Sequence, residues 1–192
     1  REAAPGSDFS RFEACGFDDT FPNIDAGVLQ TDQGEISYFD HGEIWSAKFS
    51  CEARENVITL QYFSPFLGYR YQKTFSLHEN VLTAAYRIQN ESGHAFPCMW
   101  AGHCLVNYSS DMRIVFPEGV KRVLNVMDRE ILGSAGQSYQ FPRDRAANGT
   151  LYDFTAVPQA DPKTMLKYYC SEPVDEGRCG YRYPSQGIEV KL

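Results

Sequence analysis

The sequence predicts an all-β fold made of antiparallel strands. Several segments alternate apolar and polar residues with a period of two, and they are rich in aromatic and β-branched residues. Turn signals such as Pro117-Glu-Gly and Asn148-Gly separate these segments. No segment carries an apolar stripe at helical spacing over three turns. Many short strands at regular spacing are typical of an antiparallel sandwich or barrel.

Each strand is predicted from its own alternation. In the segment Val81–Gln89, the residues Leu82, Ala84, Tyr86 and Ile88 share one face, as in a half-buried antiparallel strand. A turn at Glu79-Asn80 joins this strand to the preceding one as a hairpin. The first twelve residues and Phe141–Pro162 are predicted as surface loops. The predicted strands are Ile44–Ser50, Asn56–Phe63, Gly68–Leu77, Val81–Gln89, Ala95–Asn107, Met112–Phe116, Val120–Met127, Met165–Cys170 and Gly187–Leu192.

Length and charge limit the class of protein. A chain of 192 residues is expected to form one domain, over residues 1–192, with a sizeable core. Lys and Arg number 18 against 25 Asp and Glu, so the formal net charge is −7, which argues against a nucleic-acid partner. No run approaches the roughly 20 apolar residues of a membrane span, so no membrane partner is expected. The first residues also lack the apolar segment of a signal peptide.

The six cysteines form no Cys-x-x-Cys pair and show no metal-ligand spacing. We therefore expect mostly buried thiols in a reducing compartment, which favours a cytoplasmic location. Cys170 and Cys179 flank a turn-rich stretch, and the two could pair in an exported protein.

Acidic residues and a histidine gather in two loop-like segments, Gly16–Asp25 and Asp40–Trp45. One interpretation is the floor of a polar pocket that binds hydroxyl groups. The other is an acidic loop in water, with Asp18 or Asp25 making turn hydrogen bonds. A hard-cation site is a weaker alternative, and no metal is expected; its ligands would come from Asp40, His41, Glu43 and the pair Asp18 and Asp19.

A second histidine lies on the predicted strand Ala95–Asn107. Strand alternation places His103 and Asn107 on one face with the small residue Ala101, and this leaves room above the imidazole for a pocket. The alternative is a core histidine whose ring nitrogens bond to the backbone. Cys104 points to the opposite face, so it does not form a nucleophile–base pair with His103. His78 and His94 lie at predicted turns and are expected on the surface.

In their order along the chain, these motifs resemble those of the aldose 1-epimerase family, the galactose mutarotase-like proteins. The resemblance covers about residues 15 to 107 and is looser afterwards. Each motif is short, so the order and spacing carry the specificity. The matching segments are Gly16-Phe-Asp-Asp-Thr-Phe-Pro, Asp40-His-Gly-Glu-Ile-Trp, Tyr86-Arg-Ile-Gln-Asn-Glu-Ser-Gly and Trp100-Ala-Gly-His-Cys-Leu-Val-Asn.

The resemblance implies a large antiparallel β-sandwich of the galactose mutarotase-like class and a monosaccharide bound in a cleft on one sheet face. It also implies mutarotation, in which one group protonates the ring oxygen while another removes the proton of the anomeric hydroxyl. By the family pattern His103 is the acid, and His41 binds and polarises the sugar without any cofactor. The substrate-binding residues that the resemblance implies are Asp19, Asp40, Glu43, Trp45 and Asn107.

Two features depart from the family pattern. The family's catalytic base is a glutamate in a Glu-Pro motif near the C-terminus, and the context of Glu172-Pro173 does not resemble that motif. Nothing here matches the family's sugar-contacting arginine, and family members are longer. The chain is therefore expected to be an incomplete sandwich, a piece of a longer domain, and the less favoured alternative is a divergent member without the base.

Three functions remain open at this point. The first is an aldose 1-epimerase-like enzyme that interconverts the α and β anomers of a free aldose. The second is a non-catalytic carbohydrate-binding protein on the same scaffold. The third is a module of a larger carbohydrate-active enzyme, since a fold alone does not determine function.

Overall fold

A computed structural model describes residues 2–12, 16–31, 34–157 and 165–192. Within these residues nearly all regular structure is β-strand, and every pairing between strands is antiparallel. The prediction of an all-β antiparallel protein is confirmed. The strands are β1 (Phe17–Thr20), β2 (Gly27–Thr31), β3 (Gly34–Tyr38), β4 (Ser50–Arg54), β5 (Val57–Phe63), β6 (Tyr69–His78), β7 (Val81–Asn90), β8 (Ala101–Cys104), β9 (Arg113–Val115), β10 (Arg122–Asn125), β11 (Ser138–Gln140), β12 (Arg143–Arg145), β13 (Leu151–Asp153), β14 (Tyr168–Cys170), β15 (Gly180–Tyr183) and β16 (Ile188–Lys191).

The chain divides into two compact units, Arg1–Val106 and Asn107–Leu192. The expectation of one domain over residues 1–192, and of a single large sandwich within it, stays a prediction. In the described parts of the chain, no helix has the length and apolar character needed to cross a membrane. Three short 3-10 helices complete the described regular structure, at Phe9–Arg11, Ile44–Ser46 and Pro184–Gln186.

The first unit is built around the four-stranded sheet β4-β5-β6-β7. Its long strands arise from the strict alternation in the sequence, and the predicted hairpin at Glu79-Asn80 is confirmed, with Glu79 in the left-handed region at φ 54°. One sheet face buries aromatic rings, and the other carries polar pairs such as Gln61 with Gln72. The core of this unit consists of Phe21, Ile44, Tyr69 and Tyr71.

The second unit contains the sheets β11-β10-β14 and β16-β15-β9 and the hairpin β12-β13. Its core is formed by Val123, Leu132, Tyr139, Ala146 and Phe154. The prediction of a surface loop over Phe141–Pro162 is wrong for its described part. That segment contains β12 and β13, and Phe154 is fully buried because its ring packs against the rings of Tyr139 and Tyr168. Residues 158–162 lie outside the described residues.

Two predicted strands differ from the structure. Ile44–Ser46 is a 3-10 helix and β4 begins only at Ser50, because the backbone N–H of Ser46 bonds to the carbonyl of Glu43 and closes a turn. The strand predicted over Ala95–Asn107 is confined to β8. Before β8 the chain is irregular: Pro97 has no N–H for a ladder, and its carbonyl accepts a hydrogen bond from the Tyr38 hydroxyl.

The prediction of mostly buried thiols is also wrong for the five described cysteines. Cys51, Cys98 and Cys179 are exposed, and Cys104 and Cys170 are half-buried. Cys51 lies on β4, an edge strand of its sheet, and an edge position leaves a side chain open to solvent. Cys15 lies outside the described residues. His78 and His94 are exposed, as predicted.

Candidate functional site

Two of the four segments that carry the resemblance, those beginning at Gly16 and Trp100, meet in the ladder between β1 and β8. These strands pair in antiparallel register, with Asp18 opposite His103 and Asp19 opposite Gly102. Because side chains alternate along a strand, the ladder has two different faces. The core-side face carries Phe17, Asp19, Gly102 and Cys104. The other, which we call the His103 face, carries Asp18, Thr20, Ala101 and His103.

Asp19 is buried on the core-side face and is held by two side chains of the neighbouring sheet. Lys73 donates to Oδ2 at 2.8 Å, and the Tyr86 hydroxyl donates to Oδ1 at 2.9 Å. Burial raises the pKa of Tyr86, and its hydrogen bond to Asp19 acts in the same direction. A fully buried carboxylate that is paired in this way supports packing of β1 on β6 and β7 and is not positioned to meet a ligand from solvent.

The Trp100 ring covers Gly102 on the core-side face of the ladder. The indole Nε1 donates to the Tyr71 hydroxyl at 3.0 Å. A Cβ at Gly102 would lie 2.7 Å from the Phe17 ring and 3.0 Å from the Trp100 ring, so only glycine fits there without movement of those rings. Gly102 beside His103 therefore makes room for rings on the core-side face.

Glu43 is also buried, and it forms a second network. Its carboxylate accepts from the Tyr62 hydroxyl at 3.0 Å and from Ser64 Oγ at 3.1 Å. Burial raises the pKa of Glu43, and the two hydrogen bonds oppose that shift. Ser64 Oγ also accepts from the N–H groups of Phe66 and Leu67, so this network secures the turn between β5 and β6.

His41 and Trp45 belong to an aromatic cluster. The His41 imidazole stacks on the Phe9 ring with centroids 4.0 Å apart, and Trp45 meets the same phenyl ring edge-on at 5.1 Å. Trp45 Nε1 donates to the Asp40 carbonyl at 3.2 Å. His41 Nδ1 lies 3.0 Å from Asp40 Oδ1, but their alignment does not make a hydrogen bond. This buried nitrogen has no hydrogen-bond partner among the described residues.

His103 is exposed, and its imidazole makes no hydrogen bond or ion pair with any described residue. The same is true of the half-buried Asp18 directly opposite. The Thr20 hydroxyl on this face is buried and has no partner within the described ranges either. Three polar side chains without protein partners therefore share the His103 face.

Backbone pairing also fixes the distance between the two histidines. An isolated parallel bridge joins Phe21 to Gly42, which places His41 beside Thr20 on the side of β1 away from β8. Two strand spacings and two residues along the strand put the Cα atoms of His41 and His103 on the order of 10 Å apart.

The remaining predicted residues are not brought to this face. Asp40 is half-buried beside His41. Asn107 lies in the second unit, where its backbone carbonyl accepts from the Tyr183 hydroxyl. β8 ends at Cys104, so the expected strand face shared by His103 and Asn107 does not form. Glu172 and Pro173 line a cleft of about 240 Å³ in the second unit.

Asp18 is the candidate residue that the sequence prediction missed. Asp18 and Asp19 are the same residue type at adjacent positions, and the prediction selected Asp19. Strand alternation was the available signal, because it places Asp19 with the apolar Phe17 and Phe21 and leaves Asp18 on the other face.

No group of three or more His, Cys, Asp or Glu side chains within the described residues is arranged to hold a metal.

Comparison of the chain with protein-family models, with characterised proteins and with solved structures finds no match. The resemblance to the aldose 1-epimerase family therefore stays a prediction.

Proposed function

We propose that the protein is an aldose 1-epimerase-like enzyme that interconverts the α and β anomers of a free aldose. The observation that carries this proposal is the state of His103. It is the histidine that the family pattern makes the acid, and it is exposed, without a protein partner and on the His103 face of β1 and β8.

The chemistry requires a proton donor that a sugar can reach. Ring opening protonates the ring oxygen while the anomeric hydroxyl loses its proton, and closing on the other face of the aldehyde gives the second anomer. Imidazole suits this work because it exists in both protonation states near neutral pH. A core histidine bonded to the backbone could not reach a substrate, and the exposure of His103 argues against that alternative.

The surroundings of His41 support a sugar site in the first unit. The Phe9 and Trp45 rings give an apolar surface beside a histidine and a carboxylate. Aromatic faces pack well against the C–H groups of a sugar ring, while polar groups bind its hydroxyls. His41 is the proposed sugar-binding histidine, as the resemblance implies.

Polarimetry of a freshly dissolved α-aldose tests the proposal. With the wild-type protein, the optical rotation should reach equilibrium faster than in buffer alone. His103→Asn should lower the catalysed rate by about 10²- to 10⁴-fold, the usual contribution of a general acid. His78→Asn changes an exposed histidine at the end of β6 and is the matched control. Buffer-like rates with several aldoses, or full activity of His103→Asn, would contradict the proposal.

A non-catalytic carbohydrate-binding protein is the second candidate. Asp19 and Glu43, two of the predicted carboxylates, are both buried and occupied by protein partners, which favours a site without a base. This candidate predicts that sugars change the tryptophan fluorescence through Trp45 while the rotation changes no faster than in buffer.

A further inference from the structure

Asp18 and His103 form a cross-strand pair whose geometry suits proton transfer. The two residues are direct partners in the antiparallel β1–β8 register, so their side chains project from the same face. Directly opposed residues in such a ladder have Cβ atoms about 4.5–5.5 Å apart. A carboxylate and an imidazole at this separation can both contact one small ligand.

The pair is available to a ligand because the protein does not use it. Neither side chain makes a hydrogen bond or ion pair with a described residue. Asp18 is half-buried, and a carboxylate that is partly removed from water without a partner carries a desolvation cost that a hydroxyl donor would relieve.

The three other carboxylates near these motifs cannot fill this role. Asp19 is fully buried and neutralised by Lys73 on the core-side face of the ladder. Glu43 is buried under Tyr62 and Ser64. Asp40 lies beside His41, on the other side of β1 from His103. Of these acids, only Asp18 shares a ladder face with His103.

We propose that Asp18 is the proton acceptor that works with His103, so that the described chain carries both members of an acid–base pair. The proposal rests on the proposed function and deepens it. Asp18 takes the place of the C-terminal glutamate that the family resemblance implies, and it is a catalytic residue in the sense that it contacts the substrate.

The step balances without any co-reactant. The Asp18 carboxylate accepts the proton of the anomeric hydroxyl, whose oxygen becomes the aldehyde oxygen as the bond from the anomeric carbon to the ring oxygen breaks. The protonated His103 imidazole gives its proton to the ring oxygen, which becomes a hydroxyl. After rotation of the aldehyde, both transfers reverse. The two reacting oxygens are bonded to the same carbon, so a donor and an acceptor a few ångströms apart reach both.

Steady-state kinetics of mutarotation, with Asp18→Asn as the variant, test this role. We expect kcat to fall about 10²- to 10⁴-fold, the range for loss of one acid–base group, while KM changes less than about threefold. Asp18→Glu keeps a carboxylate on a longer side chain and should recover part of kcat. Asp25→Asn changes an exposed aspartate of the same segment and should leave both constants unchanged.

The outcomes separate the two proposals. An active wild type with a nearly active Asp18→Asn variant overturns the acceptor role and leaves the proposed function standing. An effect confined to KM also overturns it, because it makes Asp18 a binding residue only. An inactive wild type contradicts the proposed function itself. Far-ultraviolet circular dichroism of each variant separates lost catalysis from lost folding.

Discussion

Gly42 is the residue that most tightly constrains the segment around His41. Its φ is 69°, and a Cβ there would lie 2.2 Å from the Phe21 carbonyl oxygen. The same close approach allows the Glu43 N–H to donate to that carbonyl at 2.9 Å. Gly42 therefore fixes both the His41 backbone and the entry of Glu43 into the core.

Replacement of this glycine should be costly. Gly42→Ala combines a strained left-handed residue with a backbone clash, and we expect a loss of about 2–4 kcal/mol in the free energy of unfolding. Gly93→Ala is the matched control, because Gly93 has φ 74° and open space around its Cβ direction, so only about 1–2 kcal/mol is expected. Urea unfolding measures both, and equal losses would contradict the contribution of the clash.

Glu43 makes stability depend on pH. Burial raises its pKa above the unfolded-state value of about 4.5, so the folded state favours the protonated acid. This contribution is fully present below pH 4.5 and is lost as the pH rises through the folded-state pKa. Glu43→Gln cannot ionise, so the stability of wild type relative to this variant should fall as the pH rises above about 4.5. Urea unfolding at several pH values measures the difference, and a constant or growing advantage of wild type would contradict the argument.

At the scale of elements, the pair of Lys73 and Asp19 joins β1 to the main sheet. Lys73 sits in the middle of β6, and its ammonium lies 5.2 Å from the Phe49 ring centre as well as against Asp19. Loss of the cation leaves a buried carboxylate without its charge partner, and this is more damaging than loss of a surface pair.

Lys73→Met should therefore destabilise the protein by about 3–5 kcal/mol. Arg70→Met removes another cation from the same strand, but its pair with Glu91 is exposed, so little change is expected. The comparison uses urea unfolding of both variants at low and high salt. If both variants lose little stability, the pair of Lys73 and Asp19 does not stabilise the packing of β1 on the main sheet.

The elements also show what sequence patterns predict well. The alternation over β5, β6 and β7 runs long enough to give strands and a hairpin, and the structure has them. Short strands are predicted less consistently: β9 and β14, of three residues each, fall inside predicted strands, whereas β1, β2 and β12 were not predicted. The segment Ile44–Ser46 was predicted as a strand because apolar and polar residues alternate there. In the structure it is one turn of 3-10 helix, closed by the hydrogen bond from the Ser46 N–H to the Glu43 carbonyl.

The same limit applies to the candidate site. The motifs identified His41 and His103, because imidazole is a common acid–base group. They did not distinguish Asp18 from Asp19, because that choice depends on which face of β1 packs against Lys73 and Tyr86. Alternation with the apolar Phe17 and Phe21 separates the two residues locally, but pairing between distant segments decides which of them is buried.

At the scale of the whole molecule, the placement of cations predicts the class of sugar. The described part of the first unit contains six Lys and Arg residues, and five of them are paired with carboxylates. The sixth, Arg87, lies opposite Gln72 on the polar face of the main sheet, on the opposite face from Lys73 and the buried aromatic rings. Neither β1 nor β8, the two strands that form the His103 face, contains a Lys or Arg.

Unphosphorylated aldoses should therefore be the better substrates. We expect kcat/KM for glucose to exceed that for glucose 6-phosphate by at least about tenfold, because the net charge of −7 repels an anionic sugar. The ratio should shrink as salt screens this repulsion. A preference for the phosphorylated sugar would contradict this placement of the site.

The most direct test of the central claim is two-dimensional exchange NMR of an aldose at anomeric equilibrium with the protein present. The account predicts exchange cross-peaks between the α and β anomeric protons that grow with protein concentration in wild type and in His78→Asn. The same cross-peaks should fall to the buffer level in His103→Asn. Exchange in the wild type no faster than in buffer, for every aldose tried, would contradict the account.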